Sequence, residues 1–81
     1  MGTQTVEQIM AEVLKVPVDE ITDSLTMDNL EAWDSLRHMD LIVSLEQSFG
    51  IELTFNEIIV MRSVVAIKRV LESRGVKIEW K

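Results

Sequence analysis

Asp34, Ser35 and His38 lie within one short stretch and are the residue types that hydrolases assemble into a carboxylate–imidazole–hydroxyl relay. Such a relay needs the imidazole between the other two groups, taking a proton from the hydroxyl while the carboxylate orients it. Three residues within one helical turn cannot form that line, and no G-x-S-x-G elbow surrounds Ser35. The sequence therefore predicts no catalytic residue, and His38 reads as a surface or partly buried side chain near a helix start. The carboxylates between Asp19 and Asp34 would suit a hard cation. However, the D-x-[DN]-x-[DN]-G frame is absent, and no glycine lies between residues 3 and 49. With no cysteine and one histidine, the chain excludes disulfides, a thiolate zinc site and a thiol nucleophile; no metal is expected. What survives is the Ser35 hydroxyl as an acceptor of modification. At a helix start, unpaired N–H groups and the positive end of the dipole favour an attached phosphate. Asp34 or Ser35 would serve equally well as a plain helix cap, so position alone leaves both roles open.

The elements that must hold this serine follow from periodicity. Val6, Ile9, Met10, Val13 and Leu14 form one apolar helical stripe, Thr5 with Gln8 fits a capping box, and Pro17 closes the helix. From Val16 to Asp34 the period is lost. Val18, Ile21, Leu25, Met27, Leu30 and Trp33 are scattered among carboxylates, which predicts an ordered long loop with one helical turn, its apolar residues pinned to the core. At Ser35 the period returns, and Leu36, Met39, Leu41, Ile42, Val43, Leu45 and Phe49 cover most of a helix circumference. That breadth predicts a central helix packed on several neighbours, ended by a left-handed Gly50. Thr54 and Glu57 make a second capping box for a short third helix. Ser63 caps a last one, with Val64, Ile67, Val70 and Leu71 facing inward as far as Gly75. The predicted helices span residues 5–15, 35–49, 55–61 and 63–74, followed by an alternating tail over 76–81 that is extended or frayed. The expected fold is all-α: one domain over residues 1–81, a small antiparallel four-helix bundle with a long loop between its first two helices.

At 47% apolar the chain is too apolar for disorder, and no apolar run approaches the roughly 20 residues of a membrane span. The formal net charge is −6, unevenly placed. Residues 1–57 hold twelve acidic and two basic side chains, whereas residues 58–81 hold two acidic and six basic ones. The acidic body repels phosphate backbones, so nucleic acid is not an expected partner; it would steer basic protein surfaces instead. The basic residues Arg62, Lys68, Arg69, Arg74, Lys77 and Lys81 read as a solvated helix face with its tail. Charges at Glu7, Glu12, Lys15, Asp19 and Glu20 leave no signal-peptide core in the first twenty positions. The expected protein is a cytoplasmic monomer without membrane insertion.

The run Trp33-Asp34-Ser35-Leu36, followed by Met39, Leu41, Ile42, Leu45 and Phe49 and then Gly50-Ile51, resembles the acyl carrier protein family over nearly the whole chain. The resemblance implies that Ser35 carries a phosphopantetheine arm through a phosphodiester, attached from coenzyme A by a phosphopantetheinyl transferase. It also implies a protein that is not an enzyme. The arm's thiol would hold an acyl intermediate as a thioester for acyl-transferring or acyl-activating enzymes. Asp34, Leu36, Asp40, Val43 and Glu46 fall where such partners read the family. Fatty-acid carriers usually read Gly-Ala-Asp-Ser-Leu-Asp, so Arg37 reverses a charge on the recognition face, and Trp33 looks more like discrete carriers of specialised pathways. Enzymes of fatty-acid synthesis are therefore expected to use this carrier poorly. The glycine-histidine-serine pattern of many peptidyl carriers is absent. Aminoacyl, peptidyl and D-alanyl carriers remain alternatives, as does a non-catalytic acidic interaction domain in which Ser35 is only a cap.

Overall fold

Local chemistry starts and stops each helix. In the computed structural model, which describes residues 5–78, α1 spans Val6–Leu14, α2 Ser35–Phe49, α3 Phe55–Val60 and α4 Val64–Ser73. The Thr5 hydroxyl accepts from the Gln8 N–H while the Gln8 side chain accepts from the Thr5 N–H, satisfying two donors at the start of α1. Thr54 and Glu57 repeat this box at α3, and Ser63 accepts from the Ala66 N–H at α4. Gly50 ends α2 at φ 66°, a conformation that would strain a residue with a Cβ, and its N–H reaches the Glu46 carbonyl. α1 ends within a residue of the expected position, but by a different device from Pro17. Lys15 takes the left-handed conformation at φ 60°, and its N–H and that of Val16 both bond the Ala11 carbonyl. The break thus falls two residues before Pro17, which instead opens a 3-10 turn at Val18–Glu20.

The core takes Val6, Ile9, Met10 and Leu14 from α1, Leu41, Ile42 and Leu45 from α2, and Val64, Ile67 and Leu71 from α4, with Met61 beneath the α3–α4 junction. Full burial of each such side chain favours folding by about 1.5–3 kcal/mol. The wide apolar arc of α2 is not all core, which narrows the expectation of a central helix packed on several neighbours. His38, Leu41, Ile42 and Leu45 form its buried strip, whereas Leu36, Met39 and Val43 are exposed, Leu36 by 73%. The short α3 buries none of its own residues, and its Phe55 is 75% exposed.

The loop between α1 and α2 carries two 3-10 turns rather than one helical turn, Val18–Glu20 and Met27–Asn29. Ile21 and Trp33 insert into the core and Leu25, Met27 and Leu30 pack half-buried against it, but Val18 faces solvent, contrary to expectation. The loop is also pinned to α4. Thr26 bridges Ser63: the Met27 N–H donates to the Arg62 carbonyl at 2.9 Å, and the Val64 N–H to the Leu25 carbonyl at 3.0 Å. Farther along α4, Lys68 is only 1% exposed, its Nζ 2.6 Å from Glu7 Oε2 and 2.7 Å from Asp23 Oδ1. This residue corrects the reading of the basic end as one solvated face. Burial opposes its charged form, but hydrogen bonds to Asp23 and Glu7 outweigh that and hold its pKa above the ordinary lysine value.

Past α4, the Val76 N–H bonds the Leu71 carbonyl, and Val76 and Ile78 pack half-buried on the core. Positions 79–81 of the expected tail lie outside the described residues. Among the described residues there is no strand, and no helix is long and apolar enough to cross a membrane.

Candidate functional site

Ser35 is the first residue of α2 and is exposed, but it does not cap the helix. Asp34 does. Its backbone is extended, its Oδ1 accepts from the Arg37 N–H at 2.9 Å, and its carbonyl accepts from the His38 N–H at 2.8 Å. With the cap supplied by its neighbour, the Ser35 hydroxyl forms no hydrogen bond among the described residues. The Ser35 and Leu36 N–H groups belong to the first turn, which has no carbonyl of its own helix to bond. An anion joined to this hydroxyl would meet free donors, the positive end of the helix dipole and open solvent.

His38 is 7% exposed and held on both sides, so of the surface and partly buried readings neither goes far enough: the ring is buried. Trp33 Nε1 donates to its Nδ1 at 3.0 Å, and its Nε2 lies 3.0 Å from the Ile58 carbonyl. An indole nitrogen only donates and a carbonyl only accepts, which assigns the ring proton to Nε2. Both ring nitrogens are engaged away from Ser35, so no imidazole is positioned to take its proton.

Leu36, Met39 and Val43, spaced for one helix face, make an exposed apolar strip leading away from Ser35, and Asp40 is exposed on the same helix. The other charges expected to meet partners bond within the chain, Asp34 as the α2 cap and Arg37 and Glu46 across the fold. Arg37 is half-buried, and its Nη1 donates at 3.0 Å to the Val13 carbonyl in the last turn of α1, where the dipole favours a cation. Glu46 is half-buried too, and its Oε2 accepts from the Leu53 N–H at 2.8 Å, fixing the link into α3.

Sequence reasoning missed two arrangements, the Trp33–His38–Ile58 chain of hydrogen bonds and the Glu7–Asp23–Lys68 cluster. The second left a readable signal, because Lys68 sits four residues after Val64 and three before Leu71, on the buried stripe of α4. The first left only an indole N–H in a loop, which any buried acceptor could have satisfied.

Comparison with known proteins bears directly on this geometry. The phosphopantetheine attachment site family matches residues 4–71. No curated protein sequence matches the chain. Among solved structures, that of a holo acyl carrier protein from Geobacter metallireducens is similar, with a TM-score of 0.70 and 25% identity. The likeness covers 94% of this chain and 93% of that one. The family match begins just before α1 and ends within α4, so it takes in the long loop and the whole of α2. The chain belongs to the phosphopantetheine attachment site family and is a carrier protein that bears phosphopantetheine covalently.

Proposed function

We propose that Ser35 is the attachment residue and that the chain is an acyl carrier, presenting acyl groups to partner enzymes. The observation that carries this reading is the division of roles at the start of α2. Asp34 caps the helix and leaves the Ser35 hydroxyl exposed and unbonded among the described residues. A phosphodiester at that oxygen gains the free first-turn donors without costing the helix its cap. When attached, phosphopantetheine supplies a thiol, which this cysteine-free chain lacks, and on which an acyl group is held as a thioester. The similarity to a holo acyl carrier protein favours acyl over aminoacyl cargo.

The polypeptide's own part is recognition rather than catalysis. Leu36 and Val43 offer apolar contact beside the attachment point, while Asp34 and Asp40 draw a basic partner. Electrostatics of this kind sets encounter rate and register more than affinity. Arg37 and Glu46 contribute by holding α2 to α1 and to the α3 link. The partners are a phosphopantetheinyl transferase and acyl-transferring or acyl-activating enzymes of the cytoplasm. Intact mass tests the assignment. After incubation with coenzyme A and a broad-specificity transferase, the wild type gains one phosphopantetheine and Ser35→Ala gains none. An added mass on Ser35→Ala overturns it.

A further inference from the structure

The segment that presents Ser35 is tied at both ends. Two residues before it, Trp33 is 2% exposed and donates through Nε1 to His38 Nδ1 at 3.0 Å. Three residues after it, His38 is itself buried and lies 3.0 Å through Nε2 from the Ile58 carbonyl of α3. The backbone between is closed by the Asp34 carbonyl accepting from the His38 N–H, and before it the Trp33 N–H donates to the Leu30 carbonyl at 3.0 Å. Filling this space with apolar volume would need neither ring nitrogen. A buried ring with both nitrogens bonded to opposite sides has one orientation, and losing either partner leaves a polar group unsatisfied in the core. No α3 residue is fully buried, and the bond to the Ile58 carbonyl ties α3 to α2 as the Glu57–Arg74 pair ties it to the end of α4.

We propose that His38 is a positioning residue for the modification of Ser35. Through Trp33 it fixes the turn that presents the hydroxyl, and through Ile58 it registers that turn against α3. The proposal rests on the reading of Ser35 as the attachment residue. In that transfer, Ser35 Oγ bonds the pantetheine-bearing phosphorus of coenzyme A while the bridging P–O bond breaks. Adenosine 3′,5′-bisphosphate leaves with the electron pair, and the hydroxyl proton passes to a base of the transferase. In-line displacement tolerates little misplacement of the nucleophile, an error of about 1 Å costing up to about 100-fold in rate.

Two isosteric half-replacements separate the bonds. His38→Asn keeps an acceptor near the position of Nδ1 and loses the reach to Ile58, whereas His38→Gln keeps a donor near Nε2 and loses the acceptor for Trp33. The chain has two tryptophans, so a Trp80→Phe background leaves the Trp33 indole as the single reporter. Loading by the transferase should fall about 10-fold in kcat for His38→Gln, with KM for the carrier changed less than about twofold. His38→Asn should load at least about five times faster than His38→Gln and keep the indole N–H resonance near its wild-type shift. Equal loading of the Asn and Gln variants, whether fast or slow, overturns the proposal. Should the histidine variants fail to fold, Trp33→Phe removes the indole donor and keeps an aromatic fill; loading at the wild-type rate then overturns it as well. Ser35→Ala in the same assay separates the two readings. If it is modified, the attachment site itself is wrong, whereas if only the wild type and all His38 variants load alike, the positioning role alone falls.

Discussion

Where α1, the long loop and α4 meet, an ammonium is turned inward between two carboxylates; at the start of α2, a hydroxyl is turned outward and bonds none of the described residues. The same loop links the two places, with Asp23 in its first half and Asp34 at its end. The inward cluster obeys the rule for buried charge: Lys68 leaves water only because Glu7 and Asp23 replace its hydration. The outward group needs no such partner, because water already satisfies it. A polar residue that other residues enclose holds the fold. One that its neighbours leave free, beside a neighbour already doing the capping, is available for chemistry.

The largest break in this contrast should come from Lys68→Met, which leaves Glu7 and Asp23 facing each other without a cation. We expect a loss of about 3 kcal/mol in urea unfolding, the low end for a broken buried pair because Asp23 is partly exposed. Since the folded state raises the pKa of Lys68, its contribution is whole at neutral pH and is lost only as pH climbs beyond the ordinary lysine range. The wild-type advantage over Lys68→Met should therefore narrow as the solution is made strongly alkaline. A variant as stable as wild type would show that the loop does not depend on this cluster.

Glu46 and Asp40 sharpen the same distinction on one helix. Glu46→Lys removes the acceptor for the Leu53 N–H and should cost about 1.5 kcal/mol. Asp40→Lys should change stability by less than about 0.5 kcal/mol. Its effect belongs to encounter: transfer to a basic partner slows at low salt and recovers as screening shortens to roughly 10 Å near 0.1 M. An Asp40→Lys carrier with wild-type rates at every ionic strength would move the docking face off α2.

At the α2 start, Asp34→Ala should cost about 1 kcal/mol and Ser35→Ala less than about 0.5 kcal/mol in thermal unfolding, since Asp34 holds the cap. Equal losses would mean that the serine shares that role. The smallest effect is expected at an ion pair on the edge of the bundle, partly open to solvent. Arg74 donates through Nε and Nη2 to Glu57, and this hydrogen bonding holds the Glu57 pKa down at about 2. A lowered pKa contributes stability above the ordinary carboxylate range that is lost as pH falls toward about 2. Glu57→Gln should accordingly flatten the drop in melting temperature between pH 7 and pH 3. An unchanged drop would leave the pair without thermodynamic weight.

The sequence by itself determined the helix boundaries that depend on neighbours within one turn. The Thr5–Gln8 and Thr54–Glu57 boxes, the Ser63 cap and the left-handed Gly50 all act over four residues or fewer, so local backbone preference suffices to read them. The Asp34-Ser35-Leu36 motif was equally legible. Which of Asp34 and Ser35 caps α2 was not, because both side chains can accept the same N–H and only the folded backbone chooses. Nor could periodicity divide the apolar arc of α2 into a buried Leu41–Ile42–Leu45 strip and an exposed Leu36–Met39–Val43 strip, since it does not say which side other helices will cover. The burial of Lys68, and the full extent of that of His38, escaped the sequence for the same reason. Their burial is permitted by partners far along the chain, Asp23 at 45 residues from Lys68 and Ile58 at 20 from His38. Tertiary structure decided these residues because a polar side chain leaves water only where folding has already brought it a partner.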